Sequence, residues 1–155
     1  MNSESFKIKG WFEICNRDSK GFVKEGRVVH NLITSAGKAG AASRINGSGA
    51  EAAFTYLAIG TGVGAAAVGD TTLGTELASL GLSRANATAS RVTTSVTNDT
   101  AQLAYSWTAS GSAAITEAGI LNAASTGTLL SRQVFSAVNV VNGDGFTLTY
   151  KVQCS

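Results

Sequence analysis

The stretch NGDGFTLTYKVQC, residues 142–154, joins the strongest turn signal of the chain to its clearest strand pattern. Its first four residues are all types that favour tight turns. From residue 146 onward, apolar and polar side chains alternate: one face would carry Phe146, Leu148, Tyr150 and Val152, and the other Thr147, Thr149, Lys151 and Gln153. A period of two is typical of a strand with one buried face, so this stretch predicts a β-rich fold.

The same alternation predicts strands elsewhere in the chain. Phe6–Cys15 would place Phe6, Ile8, Phe12 and Ile14 on one face, and Phe22–His30 resumes the pattern after a turn-rich segment. Residues 1–30 are therefore predicted to form a β-hairpin available for contacts with partners. The other predicted strands are Phe54–Gly60, Ala87–Val96, Gln102–Ala109, Ile115–Asn122 with a bulge at Gly119, and Leu129–Val138. About eight strands predict one β-sandwich or jelly-roll-like domain over residues 1–155.

One short helix is predicted near residues 35–46. Thr34 or Ser35 can cap its start, and the alanines that follow have helical spacing. Gly37 and Gly40 each weaken such a helix by about 1 kcal/mol relative to alanine. We therefore expect tertiary contacts to hold the helix, with the two glycines allowing another backbone to approach closely. The segment Asp70–Leu82 is compatible with either a short helix or a turn.

The composition favours association with other copies or proteins. Only 14% of the residues are charged, whereas about a quarter is usual, and the chain has no proline. A lightly charged surface does little to keep copies apart, and proline-free edges fit strands that neighbours cover. A compact threonine-rich β protein is the alternative interpretation.

The net charge of +2 is too small to indicate binding to nucleic acid. Residues 1–51 hold eight of the 12 basic residues: Lys7, Lys9, Arg17, Lys20, Lys24, Arg27, Lys38 and Arg44. This part of the chain is either a solvated hairpin or a hairpin that meets an acidic partner surface. The N-terminus has no apolar signal segment, and no apolar stretch of the sequence is long enough to span a membrane. A soluble protein without a membrane partner is therefore expected.

Candidate catalytic groups are few. His30 is the only histidine, and no nucleophile motif accompanies it near Ser35 or Cys15, so a structural role is expected. Glu117 is unusual because it lies within an otherwise apolar strand. It is predicted to accept hydrogen bonds from backbone amides across a loop or to pair with Arg132.

Two glycine-rich passages resemble nucleotide-binding motifs only in part. Residues 60–65, GTGVGA, lack the long helix and the later acid of a dinucleotide site. Residues 36–39, AGKA, lack the first glycine and the final hydroxyl residue of a phosphate loop. No catalytic, cofactor-binding or metal-ligating residues are therefore predicted, and the chain is expected not to be an enzyme. Whether Cys15 and Cys154 form a disulfide stays open, because both lie at the ends of predicted strands.

Four phrases, taken in order, resemble a group of small virion proteins of tailed bacteriophages. They are HNLITSAGKAG (30–40), FTYLAIGTGVGAAAVGDTTLGTEL (54–77), ITEAGILNAASTGTLLSRQVF (115–135) and NGDGFTLTYKV (142–152). The resemblance extends over about three-quarters of the chain. It implies a structural protein of the virion, made in the bacterial host cytoplasm, and it implies no catalytic residues or cofactors.

The resemblance is compatible with more than one position on the particle. A capsid decoration protein is the first hypothesis, with the major capsid protein and other copies of the chain, in an expected trimer, as partners. A tail, neck or fibre-base protein of the same fold is the second. A carbohydrate-binding β-sandwich is the third, because Trp11, Tyr56, Tyr105 and Trp107 could form a stacking platform, although Tyr105 and Trp107 share the predicted core face of Leu103.

Overall fold

The computed structural model describes residues 5–155, which form two antiparallel five-stranded sheets and one helix. Sheet A has the strand order β2-β1-β10-β7-β6, and sheet B has the order β3-β9-β8-β4-β5. The elements in chain order are β1 (Ile8–Arg17), β2 (Val23–His30), β3 (Leu32–Ile33), α1 (Ser35–Asn46), β4 (Tyr56–Gly60), β5 (Ala85–Asn86), β6 (Thr88–Val92), β7 (Thr100–Thr108), β8 (Ala113–Leu121), β9 (Leu129–Val140) and β10 (Gly145–Cys154).

The core lies between the facing sides of the two sheets, which confirms the predicted β-sandwich. Its main cluster takes Phe12, Leu148 and Tyr150 from sheet A and Ile59 and Ile120 from sheet B. Eight strands have five or more residues, as the periodicity predicted. The other two, β3 and β5, have two residues each and are too short to produce a pattern.

The N-terminal hairpin is present, and it is built into sheet A. β1 pairs with β2 on one side and with β10 along its whole length on the other. Deleting residues 1–30 would therefore remove an inner strand of the sheet. The prediction that Phe6 belongs to the buried face is wrong, because β1 begins at Ile8 and Phe6 is 65% exposed.

The turn at residues 142–145 connects the two sheets. It follows β9 of sheet B and leads into β10 of sheet A, so the flanking strands are not hydrogen-bonded neighbours. Gly143 has a positive φ of 88° there, and the Asp144 carboxylate accepts a hydrogen bond from the Val141 amide at 3.0 Å. β10 consequently lies between β1 and β7 in the middle of sheet A.

The predicted bulge at Gly119 is wrong. Gly119 pairs in register with Arg132, and the irregularities of the β8–β9 ladder fall on either side of it. Glycine at this position instead lets Leu73 pack closely against the strand, since a Cβ on Gly119 would lie 2.7 Å from Leu73 Cδ1.

Helix α1 begins and ends as predicted. The Thr34 hydroxyl accepts a hydrogen bond from the Gly37 amide at 2.8 Å, and Gly47 ends the helix in the left-handed conformation with a φ of 73°. A Cβ on Gly37 would overlap the carbonyl oxygen of Leu130, and one on Gly40 would lie 2.6 Å from the Phe54 ring. The two glycines therefore let the helix lie directly against β9 and the segment before β4. No helix among residues 5–155 is long and apolar enough to cross a membrane.

We predict that Gly37→Ala destabilises the protein although alanine is the better helix former. The propensity gain is about 1 kcal/mol, while forcing a methyl group into a filled space costs about 1–3 kcal/mol. Ala39→Gly, at an exposed position of the same helix, measures the propensity effect alone. Unfolding in denaturant compares them, and a Gly37→Ala protein at least as stable as the wild type would contradict the contact.

Candidate functional site

A long irregular segment, residues 61–84, covers the outer face of sheet B around Leu73 and then reaches the main core at Leu77 and Leu82; we call it the strap. The strap contains no helix, which resolves the ambiguity at Asp70–Leu82 in favour of turns. Its Leu73 forms a second apolar cluster with Ala58, Leu121 and Leu129. Ala58 lies between two residues of the main core, so this second cluster is on the opposite side of sheet B. The strap therefore gives sheet B a second buried face.

Glu117 attaches the strap to the sheet. Its fully buried carboxylate accepts hydrogen bonds from the amides of Gly62, Gly74 and Thr75 at 3.0, 2.8 and 2.6 Å. It also accepts one from Arg132 Nε at 2.8 Å. Both predicted roles of Glu117, amide binding across a loop and pairing with Arg132, are thus confirmed together.

Arg132 extends the same network to the tip of the strap. Its Nη1 lies 2.8 Å from the Asp70 carboxylate, and its Nη2 donates to the Gly64 carbonyl at 3.0 Å. We call Glu117, Arg132 and Asp70 the latch. Both oxygens of the buried Glu117 carboxylate and all three nitrogens of the Arg132 guanidinium meet a partner, which is the condition for burying charge without a large desolvation penalty.

The surroundings of the latch lower the pKa of both carboxyls. Burial alone would raise the pKa of Glu117, but hydrogen bonds from the Thr75 and Gly74 amides, from Arg132 and from the Gly62 amide outweigh it, so the pKa lies below its ordinary value. The Ala67 amide, followed by Arg132, lowers the pKa of Asp70 in the same way. The latch is therefore charged at neutral pH.

Glycines make room for the latch. A Cβ on Gly60 or Gly62 would overlap Glu117 Oε1, and one on Gly74 would lie 3.0 Å from Arg132 Nη2. The glycine-rich passage after β4 thus accommodates a carboxylate of the protein itself, and no helix follows it. A second ion pair fixes the end of the strap, where Arg84 binds the Glu76 carboxylate through Nε and Nη2 at 2.8 and 2.7 Å.

The surface carries an apolar groove of about 330 Å³ between helix α1 and the ends of sheet A strands. It lies where β1 and β7 begin and β10 ends. Its main lining residues are Phe6, Ile8, Ile45, Phe54, Leu103 and Val152, and Arg44 is the one charged residue that lines it in the part of the chain that the structure describes. Phe6 and Ile45 are 65% and 75% exposed. This groove offers burial of apolar side chains, which is the chemistry of a protein contact.

The structure separates the other candidate groups. His30 lies opposite Trp11, four positions along β1 from Cys15, or about 13 Å at the rise of a strand. Cys15 and Cys154 lie opposite Thr147 and Ile8, at the two ends of the β1–β10 ladder. Both cysteines are free, so the open question of a disulfide within the chain is answered in the negative.

The four aromatic residues considered for carbohydrate stacking do not share one surface. Trp107 is buried in the core as predicted, and its indole donates to the Ser83 carbonyl at 2.7 Å. Tyr105 is 37% exposed and contacts the edge of Trp107 at a ring distance of 4.8 Å, so it belongs to the rim of the core. Tyr56 packs on the cluster beneath the strap, and Trp11 lies on the outer face of sheet A.

Residues 5–155 contain no group of three or more histidine, cysteine, aspartate or glutamate residues arranged to hold a metal ion. No protein-family model matches the chain, and neither a curated protein nor a solved structure matches it.

We predict that Glu117→Gln lowers the free energy of unfolding by about 3 kcal/mol at pH 7, because buried Arg132 loses one of its two carboxylate partners and keeps only Asp70. Glu25→Gln is the matched control. Glu25 pairs with Arg27 on the edge strand β2, where both side chains are partly exposed, and loss of a pair that water reaches costs less than about 1 kcal/mol. Denaturant unfolding measures both variants, and equal losses would contradict a special role for Glu117.

The pH dependence of the free energy of unfolding tests whether Glu117 is charged in the folded protein. Because its pKa is lower in the folded state than in the unfolded chain, the stabilisation is complete above an unfolded pKa of about 4.3 and is lost as the pH falls through the folded pKa. The gap in stability between wild type and Glu117→Gln should therefore shrink from pH 7 to pH 3. A gap that stays constant over this range would mean that the carboxyl is not ionised at pH 7.

We predict that Gly62→Ala destabilises the protein by about 1–3 kcal/mol, since its methyl group would displace the Glu117 carboxylate. Gly64→Ala, two residues away on the same strap, meets no atom within 4 Å and should change stability by less than about 1 kcal/mol. Thermal or denaturant unfolding measures both variants. A loss confined to Gly62→Ala indicates that the Glu117 carboxylate fills the space beside Gly62, whereas equal losses would indicate that the strap needs glycine in general.

Proposed function

We propose that the chain is a non-enzymatic structural protein of a tailed-bacteriophage virion, and that it decorates the capsid as a homo-oligomer, with a trimer as the expected form. The observation that carries the proposal is the exposed apolar groove beside α1. Exposed apolar surface of this kind is typical of contacts between proteins. In this function the groove receives apolar side chains of the major capsid protein or of a neighbouring copy.

The phrases that resemble virion proteins support a structural role. Two of them contribute to one network: Gly60, Gly62 and Gly74 from the second phrase, and Glu117 and Arg132 from the third. The residues of the resemblance thus serve to hold the strap on the sheet. A scaffold of this kind suits a subunit that bridges capsomers and resists the pressure of the packaged genome.

A tail, neck or fibre-base protein is the second candidate, because the resemblance covers such proteins as well. The same groove would then contact a tail or neck protein. Symmetry distinguishes the two positions, since a capsid surface repeats its sites many more times than a tail or neck ring does.

We expect quantitative mass spectrometry of purified particles, from a phage that encodes this chain, to find hundreds of copies per particle, on the scale of the major capsid protein. About six or twelve copies would favour the tail or neck. Absence of the chain from purified particles would contradict a virion protein altogether.

We also expect Phe6→Ser to weaken binding to particles that lack the protein by at least about tenfold, since burying a phenylalanine contributes about 1.5–3 kcal/mol. Phe22→Ser is the matched control, because Phe22 is 69% exposed in the same hairpin but lies at its opposite end. Co-sedimentation with the particles measures both. Equal losses, or none, would show that the groove is not the contact surface.

A further inference from the structure

A second cavity, of about 510 Å³, lies on the other side of β1 from the apolar groove. It forms where the chain passes from β2 of sheet A to β3 of sheet B, and the start of α1 and the strap complete it. We call it the basic pocket. The residues that characterise it are Lys9, Trp11, His30, Ile33, Lys38 and Val68.

The backbone fixes these residues in place. Lys9 and Trp11 alternate with buried residues of β1, so both lie on the outer face of sheet A, and Trp11 is directly opposite His30. Lys38 follows the capped start of α1, where its amide donates to the Thr34 carbonyl at 3.0 Å. The Ser35 amide donates to the Val68 carbonyl at 2.7 Å and so attaches the strap to the wall of the pocket.

Among residues 5–155, the lining of the pocket includes two lysines and no carboxylate. Neither Lys9 nor Lys38 forms an ion pair with an acid among residues 5–155. The acid nearest in sequence on the same face, Glu13, is occupied by Lys151 Nζ at 2.6 Å and by the Trp11 indole at 3.1 Å. Two lysines, a tryptophan and aliphatic residues therefore line one pocket, and neither lysine is paired with an acid of the described residues.

We infer that the basic pocket binds an acidic segment of a partner protein, with carboxylates at Lys9 and Lys38 and the aliphatic or aromatic part of a side chain against Trp11. As a statement about a virion partner, this inference rests on the proposed function. An acidic peptide fits better than a nucleic acid, because no arginine of the described residues lines the pocket and the chain carries a net charge of only +2. Opposite charges of this kind orient a partner and speed its approach.

The two tryptophans allow a direct test by NMR. The indole N–H of Trp11 reports on the pocket, whereas that of Trp107 is buried in the core and serves as an internal reference. Hexaglutamate is the probe. We expect it to shift the Trp11 signal in a saturable way, to leave Trp107 unchanged, and to bind more weakly as salt is raised.

Charge reversal of both lysines, Lys9→Glu with Lys38→Glu, should weaken hexaglutamate binding by about tenfold or more. Lys20→Glu with Arg91→Glu is the matched control, because it changes the net charge equally at the hairpin turn and on the opposite edge strand. An unshifted Trp11 signal at millimolar peptide, or equal weakening in both double variants, would overturn the inference. A six-nucleotide single strand that binds more tightly than hexaglutamate would overturn it in favour of a phosphate ligand.

Particles that lack the protein separate this inference from the proposed function. If wild type binds them and the Lys9→Glu, Lys38→Glu protein binds equally well, the inference about a virion partner is wrong and the virion assignment stands. If wild type binds no particle but hexaglutamate still shifts Trp11, the proposed function is wrong and recognition of acidic segments stands. Loss of particle binding in this double variant alone supports both.

Discussion

The carboxylate of Glu117 lies between sheet B and the strap, where three backbone amides and one guanidinium donate hydrogen bonds to it. A buried charge is costly unless every lone pair has a partner, so the position of each donor is constrained. Gly62, Gly74 and Thr75 must present their amides at the same point, and Arg132 must reach it from β9. The strap can therefore follow only one path across the sheet.

The path of the strap determines which residues are buried on the outer side of sheet B. With the strap attached, Leu73 covers Ala58 and Leu129, and β8 is buried on both faces. The latch brings together residues from separate parts of the chain: Glu117 of β8, Arg132 of β9, and the glycines near residues 60 and 74. Their contacts at the latch make these residues depend on one another, whatever the function of the protein.

The features predicted from the sequence are those that neighbouring residues decide. Alternation along β10, the cap at Thr34 and the unusual setting of Glu117 are local, and the structure confirms them. The errors concern features that distant residues decide. The contact that requires Gly119 comes from Leu73 on the strap. Two features that no local pattern predicted depend on distant residues in the same way: the turn at residue 143 changes sheets, and the β1–β10 register separates Cys15 from Cys154 and so answers the question that the sequence left open. The groove and the basic pocket were missed for the same reason, although the cluster of cations in residues 1–51 was a partial signal.

Both candidate contact surfaces depend on one end of the molecule. Ile8 lines the apolar groove and the basic pocket alike, because the start of β1 separates them. A partner that reaches this end would meet apolar surface, which supplies affinity, and positive charge, which selects orientation. The latch contributes to both indirectly: it fixes the strap, the strap places Val68 against the start of α1, and α1 carries Lys38 to the pocket and Ile45 to the groove. A carboxylate that no partner touches would thus maintain the geometry of the surfaces that partners meet.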